Sequence, residues 1–147
     1  MPAAHIWKWN EKVNAGSNVE VTVRFMNSNP VAAGAIAEFE GEVYLKDEGG
    51  NVVAESGTIA ASVPPSSYKD ITASLPVPST AAIGTVYHVV SLFDLYFDGS
   101  YMLTDVDEVV NAVEVSKVKK VSWTTYAIIG GIGAAAVAAG IMFARRR

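Results

Sequence analysis

Five carboxylates, Asp94, Asp98, Asp105, Asp107 and Glu108, crowd into one short stretch. Oxygen ligands in that number raise the question of calcium, which takes roughly six to eight of them. The spacing does not match an EF-hand loop, so the stretch reads as a solvated acidic loop. Glu38, Glu40 and Glu42 alternate along a second stretch. Paired carboxylates serve acid–base chemistry only where a pocket brings them to a substrate, and a row on one strand face is ordinarily solvated. His5 and His88 are the two histidines and lie far apart, and there is no cysteine. Thiolate metal sites, thiol nucleophiles and disulfides are thereby excluded, and two imidazoles without a carboxylate partner do not make a zinc site. No nucleophile elbow, phosphate-binding glycine loop or dinucleotide fingerprint occurs. The expectation is a non-enzymatic chain with no catalytic residue, no metal and no cofactor. Trp7 and Trp9 are read as sharing one side of an edge strand, packed under the domain, with a carbohydrate platform as the alternative.

The elements around these residues are strands. Val19, Val21, Val23 and Phe25 alternate with Glu20, Thr22, Arg24 and Met26. Such a period of two in β-branched residues marks a half-buried strand. Ala37, Phe39, Gly41, Val43 and Leu45 alternate in the same way with polar neighbours, and Asp47-Glu48-Gly49-Gly50 turns the chain into a short strand over 51–56. Further strands are predicted over 6–9, 68–75, 85–97 and 109–115. About seven strands with regular turn signals, and no helical pattern before residue 123, predict an all-β Ig-like sandwich over residues 1–115.

Gly16-Ser17-Asn18-Val19-Glu20-Val21-Thr22-Val23, followed by Asn27-Ser28-Asn29-Pro30, resembles the second strand and following turn of Ig-like modules of the CARDB type. The stretch from Gly84 through Ser91 and the run Asn111-Ala112-Val113-Glu114-Val115 resemble that family's last two strands. The chain departs from the family between them, where Leu95-Tyr96-Phe97 and Tyr101-Met102-Leu103 replace a polar stretch. The resemblance implies a binding or spacer module and carries no catalytic residue across.

Residues 123–144 are 22 residues without a formal charge. At about 1.5 Å rise each they span about 33 Å, enough for a hydrocarbon core of about 30 Å. This predicts a single-pass transmembrane helix behind a basic juxtamembrane linker (116–122) and ahead of a basic tail (145–147). Trp123 and Tyr126 suit one interface, and Arg145, Arg146 and Arg147 the other. Ala127, Gly131, Ala135 and Ala139, with Gly130, Ala134 and Ala138, form small-residue rows that let helices pack closely, predicting homo- or hetero-oligomers.

With the helix following the last strand, the loop predicted over 98–108 belongs at the membrane-distal tip. Tyr96, Phe97, Tyr101, Met102 and Leu103 are its expected partner-binding residues. Strand 85–97 is apolar on both faces, so its outer face is covered either by a loop of the same chain or by a partner. Residues 1–115 carry five bases against 15 acids, a net −10, which disfavours sequence-specific nucleic-acid binding; residues 116–147 carry six bases and no acid.

Sidedness is divided. The start Met1-Pro2-Ala3-Ala4-His5 has no signal-peptide pattern, whereas the arginine triplet favours a cytoplasmic C-terminus. Two readings follow: a structural protein linking a virion's internal membrane to its shell, or an adhesion or spacer module of a prokaryotic cell envelope. Both are membrane-anchored and work through protein partners in an assembly.

Overall fold

The computed structural model describes residues 2–30 and 34–116. The predicted transmembrane helix, with its interfacial and small-residue positions, and the basic tail lie outside the described residues, as does the linker beyond Ser116. Among the described residues there is no helix and there are nine strands: β1 (Ala3–Trp9), β2 (Lys12–Val13), β3 (Asn18–Asn27), β4 (Ala37–Lys46), β5 (Val52–Glu55), β6 (Ile59–Val63), β7 (Ser67–Pro76), β8 (Val86–Phe97) and β9 (Ser100–Val115). They form two sheets, β1-β3-β7 and β2-β9-β8-β4-β5, with β6 also paired to β4. This is an all-β fold of nine strands in two sheets.

The alternation read from the sequence sets the core. Val19, Val21, Val23 and Phe25 of β3 are fully buried, facing Phe39, Val43 and Leu45 of β4 and Val89, Phe93 and Leu95 of β8. Phe25 stitches the sheets together: its ring lies 5.1 Å from Phe39 and 4.8 Å, edge-on, from Phe93. Edge-to-face rings at such spacing are a favoured aromatic arrangement. The Ser91 hydroxyl, fully buried on the inner face of β8, has no hydrogen-bond partner among the described residues.

Four expectations are corrected. Two strands were not anticipated: β2, which runs parallel to β9 at Lys12↔Glu114 and Val13↔Val115, and β6. The loop predicted over 98–108 is not a loop. Only Asp98 and Gly99 turn the chain, and β9 begins at Ser100, nine residues before the expected 109. Both turn residues have positive φ, 53° and 81°. That is the requirement of a type I′ turn, which matches the twist of the strands it joins.

Third, Trp7 and Trp9 do not share a side. The β1–β3 register steps from Ile6↔Val23 to Lys8↔Thr22, leaving Trp7 as the extra residue of a β-bulge. Trp7 therefore faces solvent, while Trp9 packs against the core and donates its indole N–H to Ala112 O at 2.8 Å.

The acidic stretch of β9 holds the sandwich shut along one side. Asp105 and Asp107 point toward β1 rather than outward. Their carboxylates accept the backbone N–H groups of Ala4 and Ile6, each at 2.9 Å. Two donors on the outer edge of β1 are thus satisfied by side chains of the facing sheet. The reading of these acids as a solvated loop is corrected accordingly.

Candidate interaction surface

Three connections meet at one end of the sandwich: the β3–β4 segment, the β6–β7 turn and the β8–β9 hairpin. Ala37 at the start of β4 pairs with both Val63 and Phe97, and Asn27 at the end of β3 pairs with Ser67. The fully buried Asn27 pins this end. Its amide nitrogen donates to Ala35 O (3.1 Å) and Val63 O (3.0 Å), and its Oδ1 accepts from Asn29 N. Asp98 N donates to Ile36 O at 3.3 Å, drawing Ile36 against the hairpin.

All five residues expected to bind a partner lie on this hairpin. Tyr101 and Met102 are more than half exposed, at 57% and 53%, and Ile36, bonded to the hairpin turn, is 45% exposed. Tyr96, Phe97 and Leu103 are half-buried, and Phe97 and Leu103 also pack against the core. The register steps from Leu95↔Leu103 to Tyr96↔Tyr101, so Met102 is the extra residue of a second bulge. A bulge re-aims the side chain it carries. Tyr96 and Tyr101 meet edge-on at 5.9 Å. The Tyr101 hydroxyl lies 2.9 Å from Thr104 Oγ1, which donates to Asp94 Oδ1 at 2.7 Å. These cross-strand contacts hold the exposed rings in place without using up their outer surfaces. Of the acids once grouped at the tip, only Asp98 remains there. Asp94 and Glu108 stand on the outer sheet face, with Glu38, Glu40 and Glu42.

A second surface cluster was not legible in advance. On the outer face of β1-β3-β7, the Arg24 guanidinium carbon lies 3.8 Å from the Trp7 ring centroid and 4.0 Å from that of Tyr68. Asp70 grips the same guanidinium through two bonds, Nε–Oδ1 at 2.8 Å and Nη2–Oδ2 at 2.9 Å. Arg24 sits mid-strand in a row of polar residues, and only the bulge at Trp7 brings the indole over it. The fork geometry gives arginine both partners at once. That hydrogen bond raises the pKa of Arg24 and holds the carboxyl of Asp70 below its usual range. A depressed carboxylate stabilises the fold above its unfolded-state pKa and ceases to do so as pH falls through its folded value. Asp70→Asn should therefore lower the melting temperature slightly at neutral pH, and the difference from wild type should vanish on acidification below the ordinary carboxylate range. A difference that persisted in acid would contradict this assignment.

No protein-family model matches the chain, and no curated protein matches it. Among solved structures, the sporulation control protein Spo0M from Bacillus subtilis superposes with a TM-score of 0.45 at 16% identity, over 78% of this chain and 51% of that one. A glycosyl hydrolase family 2 member from Bacteroides cellulosilyticus DSM 14838 gives a TM-score of 0.42 at 13% identity, over 74% of this chain and 15% of that one. The match thus involves about half the length of Spo0M and a small part of the hydrolase. The chain is an all-β domain that resembles β-sandwich domains of these proteins.

Proposed function

We propose that this chain is a non-enzymatic tether: an Ig-like module of CARDB type, anchored through its apolar segment 123–144, that meets a protein partner with the end of its β8–β9 hairpin. The observation that carries the reading is the apolar tip. Tyr101 and Met102 are exposed on one pinned hairpin, whose turn also bonds the exposed Ile36, and solvent-facing apolar groups at one end of a domain mark contact sites. In the sequence the apolar segment follows β9, which ends at Val115. The partner belongs to a larger assembly, such as the shell around a virion's internal membrane.

A photo-crosslinking residue placed at Met102 should give one discrete adduct in the native assembly, and the same residue at Glu48, in the β4–β5 turn, should give none. Tyr101→Ser should abolish the adduct. Equal adducts from both positions would overturn the reading. Sidedness is testable because the chain has no cysteine. Glu48→Cys suits a membrane-impermeant maleimide better than a cysteine at Gly50, whose φ of 85° disfavours a side chain. Labelling on intact cells would favour an outward-facing envelope module over an internal assembly.

A further inference from the structure

The two outer faces of the sandwich differ in how their charges are settled. On β1-β3-β7, Arg24 is paired with Asp70 and stacked between two rings. On the other sheet the cross-strand rows run Glu38–Tyr96–Tyr101, Glu40–Asp94–Thr104, Glu42–Leu92–Val106 and Tyr44–Val90–Glu108. No cation stands in these rows. Lys46 occupies the next one, opposite His88. Glu40 and Asp94 are directly opposed, a like-charge pair that weakens a sheet. The one ion pair among the described residues is Arg24–Asp70, so among them no carboxylate of these rows has a cation within ion-pair distance.

An apolar strip accompanies the charge. Val106 is 57% exposed and Leu92 36%, in register with each other, and Tyr96 with Tyr101 forms a second such pair nearer the tip, beyond the Asp94–Thr104 row. Beside it a shallow groove of about 530 Å³ is walled by Glu38, Glu40, Ala60, Ser62 and Tyr96, with Lys69 of β7 also on its wall.

We propose that this face docks a partner segment in which lysine or arginine alternates with apolar residues. Its cations would lie against Glu38, Glu40 and Asp94, and its apolar side chains on Leu92, Val106 and Tyr96. Opposed charge steers such a segment in and sets its register, while the apolar strip supplies burial. The proposal rests on the reading of the domain as a protein-contact module, and it names the chemistry of the partner.

The test uses the full chain and a short synthetic peptide of alternating lysine and valine, followed by fluorescence anisotropy. The peptide should bind, more weakly as salt rises, and a glutamate–valine peptide should not. Glu40→Gln with Asp94→Asn should weaken binding about tenfold or more, the scale of close charge pairs at interfaces. Val106→Ser should weaken it also. Glu11→Gln with Glu48→Gln removes as much charge elsewhere and should leave affinity nearly unchanged. The Glu40/Asp94 variant should melt no lower than wild type, because a repulsion has gone, so lost binding could not be laid to lost fold. Unaltered affinity in that variant, or equal losses in both charge variants, would overturn the proposal. The crosslink from Met102 would survive that failure. Loss of the crosslink with peptide binding intact would instead count against the tip.

Discussion

Gly41→Ala should destabilise the domain by about 3 kcal/mol or more, at the upper end of what overpacking does. A Cβ built on Gly41 would stand 1.9 Å from Leu92 O and 2.7 Å from Phe93 Cα. Both are backbone atoms of β8, so no rotamer change relieves the clash; the two strands would have to part. Gly41 lies where that separation is most damaging. It pairs with Phe93 on one side and is the last residue of β4 paired with β6 on the other, before β5 takes over that edge. Urea denaturation of wild type and variant would measure the effect. Glu40→Ala, one residue away and outward-facing, should change stability little by comparison. A Gly41→Ala midpoint close to that of wild type would show that β8 yields more easily than this geometry implies.

Phe25→Ala should cost about 3–5 kcal/mol, the range for deleting a fully buried aromatic ring. Phe25 comes from the three-stranded sheet, whereas Phe39 and Phe93 come from the other. Removing the ring opens a void between the layers that neither neighbour fills without leaving its own packing. A double-mutant cycle with Phe93→Leu isolates the edge-on contact, with an expected coupling of about 0.5–1.5 kcal/mol. Additive losses would mean that the two rings contribute only through the area they bury.

The strands that the sequence disclosed are those in which apolar residues alternate strictly. Val19 through Phe25 and Ala37 through Leu45 face the core as their period requires. β6 escaped because Ala60, Ala61 and Ser62 have little β preference, and its place depends on pairing with β4. The first half of β9 escaped for a different reason. Its core-side positions include Asp105 and Asp107, so alternation is present with acids where apolar residues are expected. Asp98-Gly99 was the available signal, because Asp-Gly between two apolar stretches favours a two-residue hairpin. Of the five hairpin residues expected to be exposed, Tyr101 and Met102 are, whereas Phe97 and Leu103 turn partly into the core. The stack around Arg24 was not legible, because it depends on a one-residue bulge that pattern reading has no means to place.

The bonds from Asp105 and Asp107 to Ala4 and Ile6 join residues 101 positions apart. Strand β2 likewise waits for Glu114 and Val115. During synthesis the first strand emerges long before the last, so the sandwich has no means of closing until residue 115 is free. Contacts this distant in the chain slow folding, because the intervening loop must be ordered first. Until then β1 presents unmet amides and β8 an unpaired edge, the kind of surface that invites association with another chain. Limited proteolysis of stalled nascent chains should find them fully cleavable up to about residue 110 and resistant only once β9 has been released, giving a late, single step in place of gradual maturation.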